Sequence, residues 1–175
     1  MEWKWGRAPI LHHNPAAMNA KPNRLAASLP PELVCVGVET SSKKRAFELA
    51  ALQIEAQRRL DHRTVMDQLF ERERLGSTGL GYGVAIPHAR MPGLTEPLAC
   101  VIRLDKAVEF DAPDDEPVDI LVFLLVPKTA HQQHLETLAE IAEMLSDAGQ
   151  RQRLREAATA AELHARITAW SPATR

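Results

Sequence analysis

The sequence predicts an α/β domain: a single mixed β-sheet with helices packed on both faces. Three observations predict it. Apolar runs of strand length alternate along the chain with stretches of helical period, and no segment repeats. The run Val118 to Val126 is nearly all apolar, which fits a central strand covered on both faces. The chain has 175 residues, 45% hydrophobic and 25% charged, a size and composition suited to one ordinary core.

The elements follow in order. Residues 1–30 read as a flexible N-terminal extension, with Pro9, Pro15, Pro22 and Pro30, several Asn and no sustained period. Met18 is an alternative start, which would make residues 1–17, with Trp3 and Trp5, an added stretch. The domain proper is expected over 31–172. VCVGV from Val34 reads as a strand. Thr40, Ser41 or Ser42 can cap a helix over about 43–60. Asp61 can cap a second helix that presents Val65, Met66, Leu69 and Phe70, with Gly76 ending it in the αL conformation. VAI, at residues 84–86, is a short buried strand that leads into Pro87 and His88. Strands are expected over 98–104 and 118–126. A helix over about 131–145 repeats Leu135, Leu138, Ile141, Ala142 and Leu145 at helical spacing. Two shorter helices close the chain, over 150–157 and 160–170.

Bulk charge narrows the function classes. The net charge is −2 with histidine neutral, too little positive field for nucleic-acid binding as the main task. The longest apolar run is far too short to span a bilayer, so no membrane insertion is expected. Cys35 and Cys100 each sit in an apolar run and read as buried thiols. With no signal-peptide pattern, the expected location is cytoplasmic.

The chemistry concentrates between Arg72 and Arg90. His88 follows a short apolar strand and the rigid Pro87. Gly76, Gly79, Gly81 and Gly83 lie upstream with Ser77 and Thr78 among them. Glycines let backbone N–H groups approach an anion, hydroxyls add donors, and Arg72 and Arg90 supply fixed positive charge. Phosphoryl transfer through nitrogen needs a neutral imidazole as nucleophile and donors for the moving oxygens. The residues alone leave a second reading open, in which this is a glycine-rich turn beside a structural histidine. Neither the P-loop nor the dinucleotide glycine spacing is present.

The same stretch resembles the phosphorylation-site signature of the mannitol/fructose-type enzyme IIA family of the bacterial phosphotransferase system. The matching positions are Glu73, Leu80, Gly81, Val84, Ala85, Ile86, Pro87, His88 and Ala89. FERERLGSTG, at residues 70–79, is similar to the nitrogen-related branch. EFDAPDDEPVDILVFLLVP from Glu109 and HLETLAEIAEML from His134 resemble two further blocks of the family. The likeness spans about residues 33–170. It implies that His88 is the phosphoryl acceptor, at Nε2, with Nδ1–H held by another group such as a backbone carbonyl. It implies that Arg72 neutralises the phosphoryl charge and that His134 lies near the acceptor. Gly76, Ser77, Thr78 and Gly79 are candidate phosphoryl-binding residues. Tyr82 departs from the branch, which usually has Asn between these two glycines; it could alter the rim of the site or a partner surface.

The implied function is a phosphoryl carrier of the nitrogen-related phosphotransferase system. It would accept phosphoryl from an HPr-type phosphocarrier and regulate target proteins by its phosphorylation state. The alternative is a sugar-specific enzyme IIA that passes phosphoryl to a IIB domain during fructose or mannitol uptake. A binding module with a dead site and a metal hydrolase on His88, His131 and His134 rank below both. His131 and His134 are one helical turn apart, yet no third ligand is evident, so no metal and no cofactor is expected. Asp111, Asp114, Asp115 and Glu116 read as a solvated turn or a partner-recognition edge. His12, His13, His62 and His164 read as surface residues, and the arginines over 151–155 as a solvated helix face.

Overall fold

The computed structural model describes residues 22–130 and 132–173. The expectations for residues 1–21 and for His131 therefore lie outside the described residues. Among those described, six strands form one mixed sheet and helices cover both faces, as the sequence predicts.

The strands are β1 (Val34–Val38), β2 (Gly79–Gly81), β3 (Val84–Ala85), β4 (His88–Met91), β5 (Leu98–Val108) and β6 (Val118–Pro127). β6 is central and buried everywhere except Asp119, which is half-buried. β5 pairs with one edge of it, antiparallel, and carries β1 on its own far side in parallel. β3 and β4 share the other edge of β6, both parallel to it and end to end: Val84 stands opposite Ile120, and His88 opposite Leu124. Pro87 sits at the joint, where its missing N–H leaves no gap, and its carbonyl accepts from Leu124 N–H at 2.9 Å. His88 is thus the first residue of a strand. A four-residue strand reading HARM has no apolar alternation long enough to announce itself.

The helices are α1 (Arg24–Ser28), α2 (Lys43–Arg58), α3 (His62–Arg74), α4 (Gln133–Ser146), α5 (Ala148–Arg155) and α6 (Ala160–Ala169). Ser42 caps α2 through Arg45 N–H, and Asp61 caps α3 through Thr64 N–H. Gly76 does follow the end of α3, but at φ 152° rather than in the αL well. On one face α2 and α3 bury Phe47, Ile54, Val65 and Leu69 against the sheet, where the Phe47 ring meets Phe70, Phe110 and Phe123 at centroid distances of 4.9–6.1 Å. On the other, Leu25, Ile141, Leu145, Leu154, Leu163 and Ile167 pack on Ile120, Val122 and Leu124.

Two expectations need correction. Residues 22–30 belong to the folded body, not to a flexible extension. Asn23 is 1% exposed; its Oδ1 caps α1, and its Nδ2 donates to Ile167 O at 2.9 Å and Trp170 O at 2.7 Å, the open end of α6. His164, partly exposed as expected of a surface residue, adds a bond to Leu29 O at 3.0 Å and so ties α6 to the N-terminal segment. The arginines over 151–155 are likewise not all solvated. Arg155 grips Asp119 and Tyr82 O, while Arg151 bonds Leu145 O and lies 4.4 Å over the Tyr82 ring.

Candidate functional site

α3 packs beside β4, and α4 begins just beyond the end of β6. This brings three of the expected residues together: Arg72 from the last turn of α3, His88 from the start of β4, and His134 from the first turn of α4. They line one open cleft of about 370 Å³ with Gln68, Glu71, Leu75 and Arg90. A cleft of similar volume beside Glu39, Thr40, Ser41, Asp105 and Lys106 holds no imidazole, so chemistry and not size singles out the first.

The hydrogen bonds of His88 fix its tautomer. Nδ1 lies 2.8 Å from Ile86 O. A carbonyl oxygen only accepts, so the hydrogen must be on Nδ1. Nε2 then carries a bare lone pair, and Arg72 Nε–H donates to it at 3.3 Å. Arg72 is itself held by Gly76 O, which accepts from Nη1 at 2.9 Å. Burial holds the His88 pKa below the ordinary histidine value, and the positive charge of Arg72 lowers it further, while the bond to Ile86 O acts in the opposite direction. The ring is therefore neutral at neutral pH. A neutral imidazole with one fixed lone pair beside a guanidinium can attack an electrophilic centre whose oxygens carry negative charge.

His134 is half-buried, and its Nδ1 is a buried nitrogen without a hydrogen-bond partner among the described residues. The tautomer protonated on Nε2 leaves only a lone pair buried there, which costs less than a buried N–H.

The expected phosphoryl-binding loop is not brought to His88 in the same way. Most of its donors are already engaged: Gly76 N–H by Glu73 O, Ser77 hydroxyl by Phe110 O, Thr78 N–H and hydroxyl by the Glu73 carboxylate, and Gly79 N–H by Ser77 Oγ. The following glycines build the β2–β3 hairpin, which points to the other end of the sheet. Gly83 sits at φ 77°, a left-handed conformation that L side chains rarely adopt, so the backbone there favours glycine. Tyr82, at the tip, is 64% exposed and sits in the left-handed region at φ 57°. It does not rim the His88 cleft. Asp114, from the acidic turn, accepts from Tyr82 N–H at 2.7 Å; that turn therefore clamps the hairpin as well as meeting solvent.

One important group went unassigned in the sequence. Glu73, 8% exposed, binds Thr78 twice and pairs with Lys43 Nζ at 2.6 Å. Its place at the start of the signature marked it, but nothing in the spacing said what it held.

The fold and this cleft define a small α/β domain with a neutral histidine, its Nε2 lone pair beside an arginine, at the start of a strand. Residues 27–170 match the family model described as "Phosphoenolpyruvate-dependent sugar phosphotransferase system, EIIA 2", and the chain belongs to that family. A nitrogen regulatory protein of Pseudomonas aeruginosa is 46% identical over 142 residues, covering 81% of this chain and 92% of its own. A fructose-specific EIIA component of Haloferax volcanii is 34% identical over 129 residues, covering 73% and 84%. The crystal structure of the nitrogen regulatory protein IIA-Ntr from Neisseria meningitidis superposes with a TM-score of 0.78 at 42% identity, covering 82% of this chain and 99% of that one. The mannitol IIA of Escherichia coli shares the fold at a TM-score of 0.64 and 17% identity, covering 77% and 96%. Among the described residues, no helix is long and apolar enough to cross a membrane.

Proposed function

We propose that this chain is a phosphoryl carrier of the nitrogen-related phosphotransferase system, acting in the cytoplasm. His88 accepts a phosphoryl group from an HPr-type phosphocarrier, and the phosphorylation state regulates target proteins. The observation that carries this reading is the orientation of His88: Nδ1–H is bound to Ile86 O, and Nε2 lies in the cleft beside Arg72.

The step follows from that geometry. The Nε2 lone pair attacks phosphorus, the bond from phosphorus to the donor breaks, and its electron pair returns to the donor. The ring, now bonded to phosphorus through Nε2, keeps its hydrogen on Nδ1, where Ile86 O stabilises the positive charge that develops. Arg72 Nε–H turns from Nε2 to a phosphoryl oxygen. His134, protonated on Nε2, can donate one more bond. The phosphoryl group carries about two negative charges near neutral pH, and Arg72 is their main counter-charge.

Incubation of the chain with enzyme I, the phosphocarrier and phosphoenolpyruvate should attach one acid-labile, alkali-stable phosphoryl group, read by intact mass. His88→Ala should stay unlabelled, and full labelling of that variant would refute the assignment. The Haloferax relative supports a second reading, transfer onward to a IIB domain for sugar uptake. Rapid loss of the label to an added fructose or mannitol IIB domain would favour it over regulation.

A further inference from the structure

We propose that Glu73, charge-paired with Lys43, is the positioning residue whose carboxylate sets the Nδ1–H tautomer of His88. The proposal rests on the reading of His88 as acceptor, although its first readout does not.

Two short chains of hydrogen bonds leave the same residue. In the first, the Glu73 carboxylate accepts from Thr78 N–H at 3.1 Å and from Thr78 Oγ1 at 2.6 Å. Thr78 O accepts from Ile86 N–H at 3.0 Å, and Ile86 O accepts from His88 Nδ1–H at 2.8 Å. In the second, the main-chain carbonyl of Glu73 accepts from Gly76 N–H at 3.2 Å, and Gly76 O accepts from Arg72 Nη1 at 2.9 Å; this path of bonds needs only the backbone at position 73 and should survive a change of its side chain. The turn over 74–78 is closed at both ends by Glu73.

The carboxylate can stay buried because Lys43 meets it. Lys43 Nζ lies 2.6 Å from Glu73 Oε1, 3.2 Å from Phe110 O and 4.3 Å from the centre of the Phe110 ring. Phe110 O also accepts from Ser77 Oγ at 2.8 Å, so the same carbonyl steadies the turn from its far side. A buried carboxylate needs such a partner, and removing only one member of a buried pair leaves a costly bare charge. A carboxamide could replace Glu73 with little change in geometry: its oxygen accepts from Thr78 N–H, and its NH₂ donates to Thr78 Oγ1.

The test is the imidazole nitrogen spectrum of His88 in the full chain, read beside the rate of phosphorylation. Wild type should show hydrogen on Nδ1 only. Glu73→Ala should show a growing Nε2–H population and a rate lower by about 10–100-fold, the range for lost orientation of a reacting group. Lys43→Met/Glu73→Gln removes the charges and keeps both bonds to Thr78, so both readouts should stay near wild type. Thr78→Val, nearly isosteric, should show a smaller change of the same kind in both, and these two variants carry the test should Glu73→Ala not fold. An unchanged tautomer and rate in folded Glu73→Ala would overturn the proposal. So would a double variant as slow as Glu73→Ala, because the charge of Glu73 would then act on His88 directly. If His88 proved not to be the acceptor, the tautomer would still decide, so the two failures are distinguishable.

Discussion

Arg72 holds Gly76 O and His88 Nε2 at the same time, so its guanidinium is in place before any anion arrives. Preorganised charge of this kind contributes most where charge develops. Arg72→Ala should slow phosphorylation by about 100-fold or more. Arg90→Ala should matter less, because Arg90 lines the cleft but makes no bond to His88. Equal transfer rates in wild type and Arg72→Ala, measured with excess phosphorylated donor, would remove Arg72 from the mechanism. The depressed His88 pKa gives a second test. Acceptor activity should stay level as pH falls through about 6.5, where an ordinary histidine is half protonated. The sign for stability follows. Because the folded pKa lies below the unfolded one, the unfolded chain takes up this proton first. His88 therefore adds nothing against folding above about 6.5, and stability falls with pH from there down through the folded pKa. His88→Ala should flatten that part of a pH–stability curve. Tyr82 sets two small terms against each other. Its left-handed backbone costs about 1 kcal/mol, and its ring gains about 0.5–1 kcal/mol under Arg151. Tyr82→Asn, which relieves one and loses the other, should leave thermal stability almost unchanged, whereas Tyr82→Ala should lower it. The sequence marked His88, Arg72 and His134 through the signature blocks. It could not show that Arg151 and Arg155 serve Tyr82 and Asp119, because a charged helix face looks the same whether or not a distant loop returns to it.

At the scale of elements, long periodic segments were legible and short ones were not. α2, α3, α4, β5 and β6 fall within a few residues of expectation, since each presents an apolar face over several turns or alternations. α1 has five residues between prolines, too few to show a period, and is fixed by tertiary bonds instead. Those bonds define a prediction. Asn23→Ala removes a helix cap, leaves Trp170 O without its donor, and leaves Ile167 O with only the longer bond from Trp170 N–H at 3.3 Å. The loss should be about 2 kcal/mol, or roughly 4–8 °C in Tm for a chain of this size, measurable by calorimetry. The β2–β3 hairpin was legible only as a glycine-rich stretch. The same glycines suit an anion-binding loop or a tight hairpin, and only the clamp from Asp114 and Asp119–Arg155 tells which.

For the whole molecule, the doubly covered β6 makes the sheet a rigid spacer between two ends. His88 stands opposite Leu124, and the hairpin tip meets β6 at Asp119 through Gly83 O. That separation is five residues along the strand, about 17 Å at ~3.3 Å per residue. The Debye length at physiological ionic strength is about 8 Å, so the field of a phosphoryl group at His88 is screened over two such lengths before it reaches Tyr82. Information about the state of the site therefore travels only as far as its charge does. A target that docks on the hairpin tip alone would bind both forms equally, and one that distinguishes them must touch the cleft of Arg72, His88 and His134. On phosphorylation, amide shifts should change around that cleft and stay fixed at Tyr82, Asp114 and Arg155; movement there would mean that the sheet transmits a conformational message and not merely a local voltage.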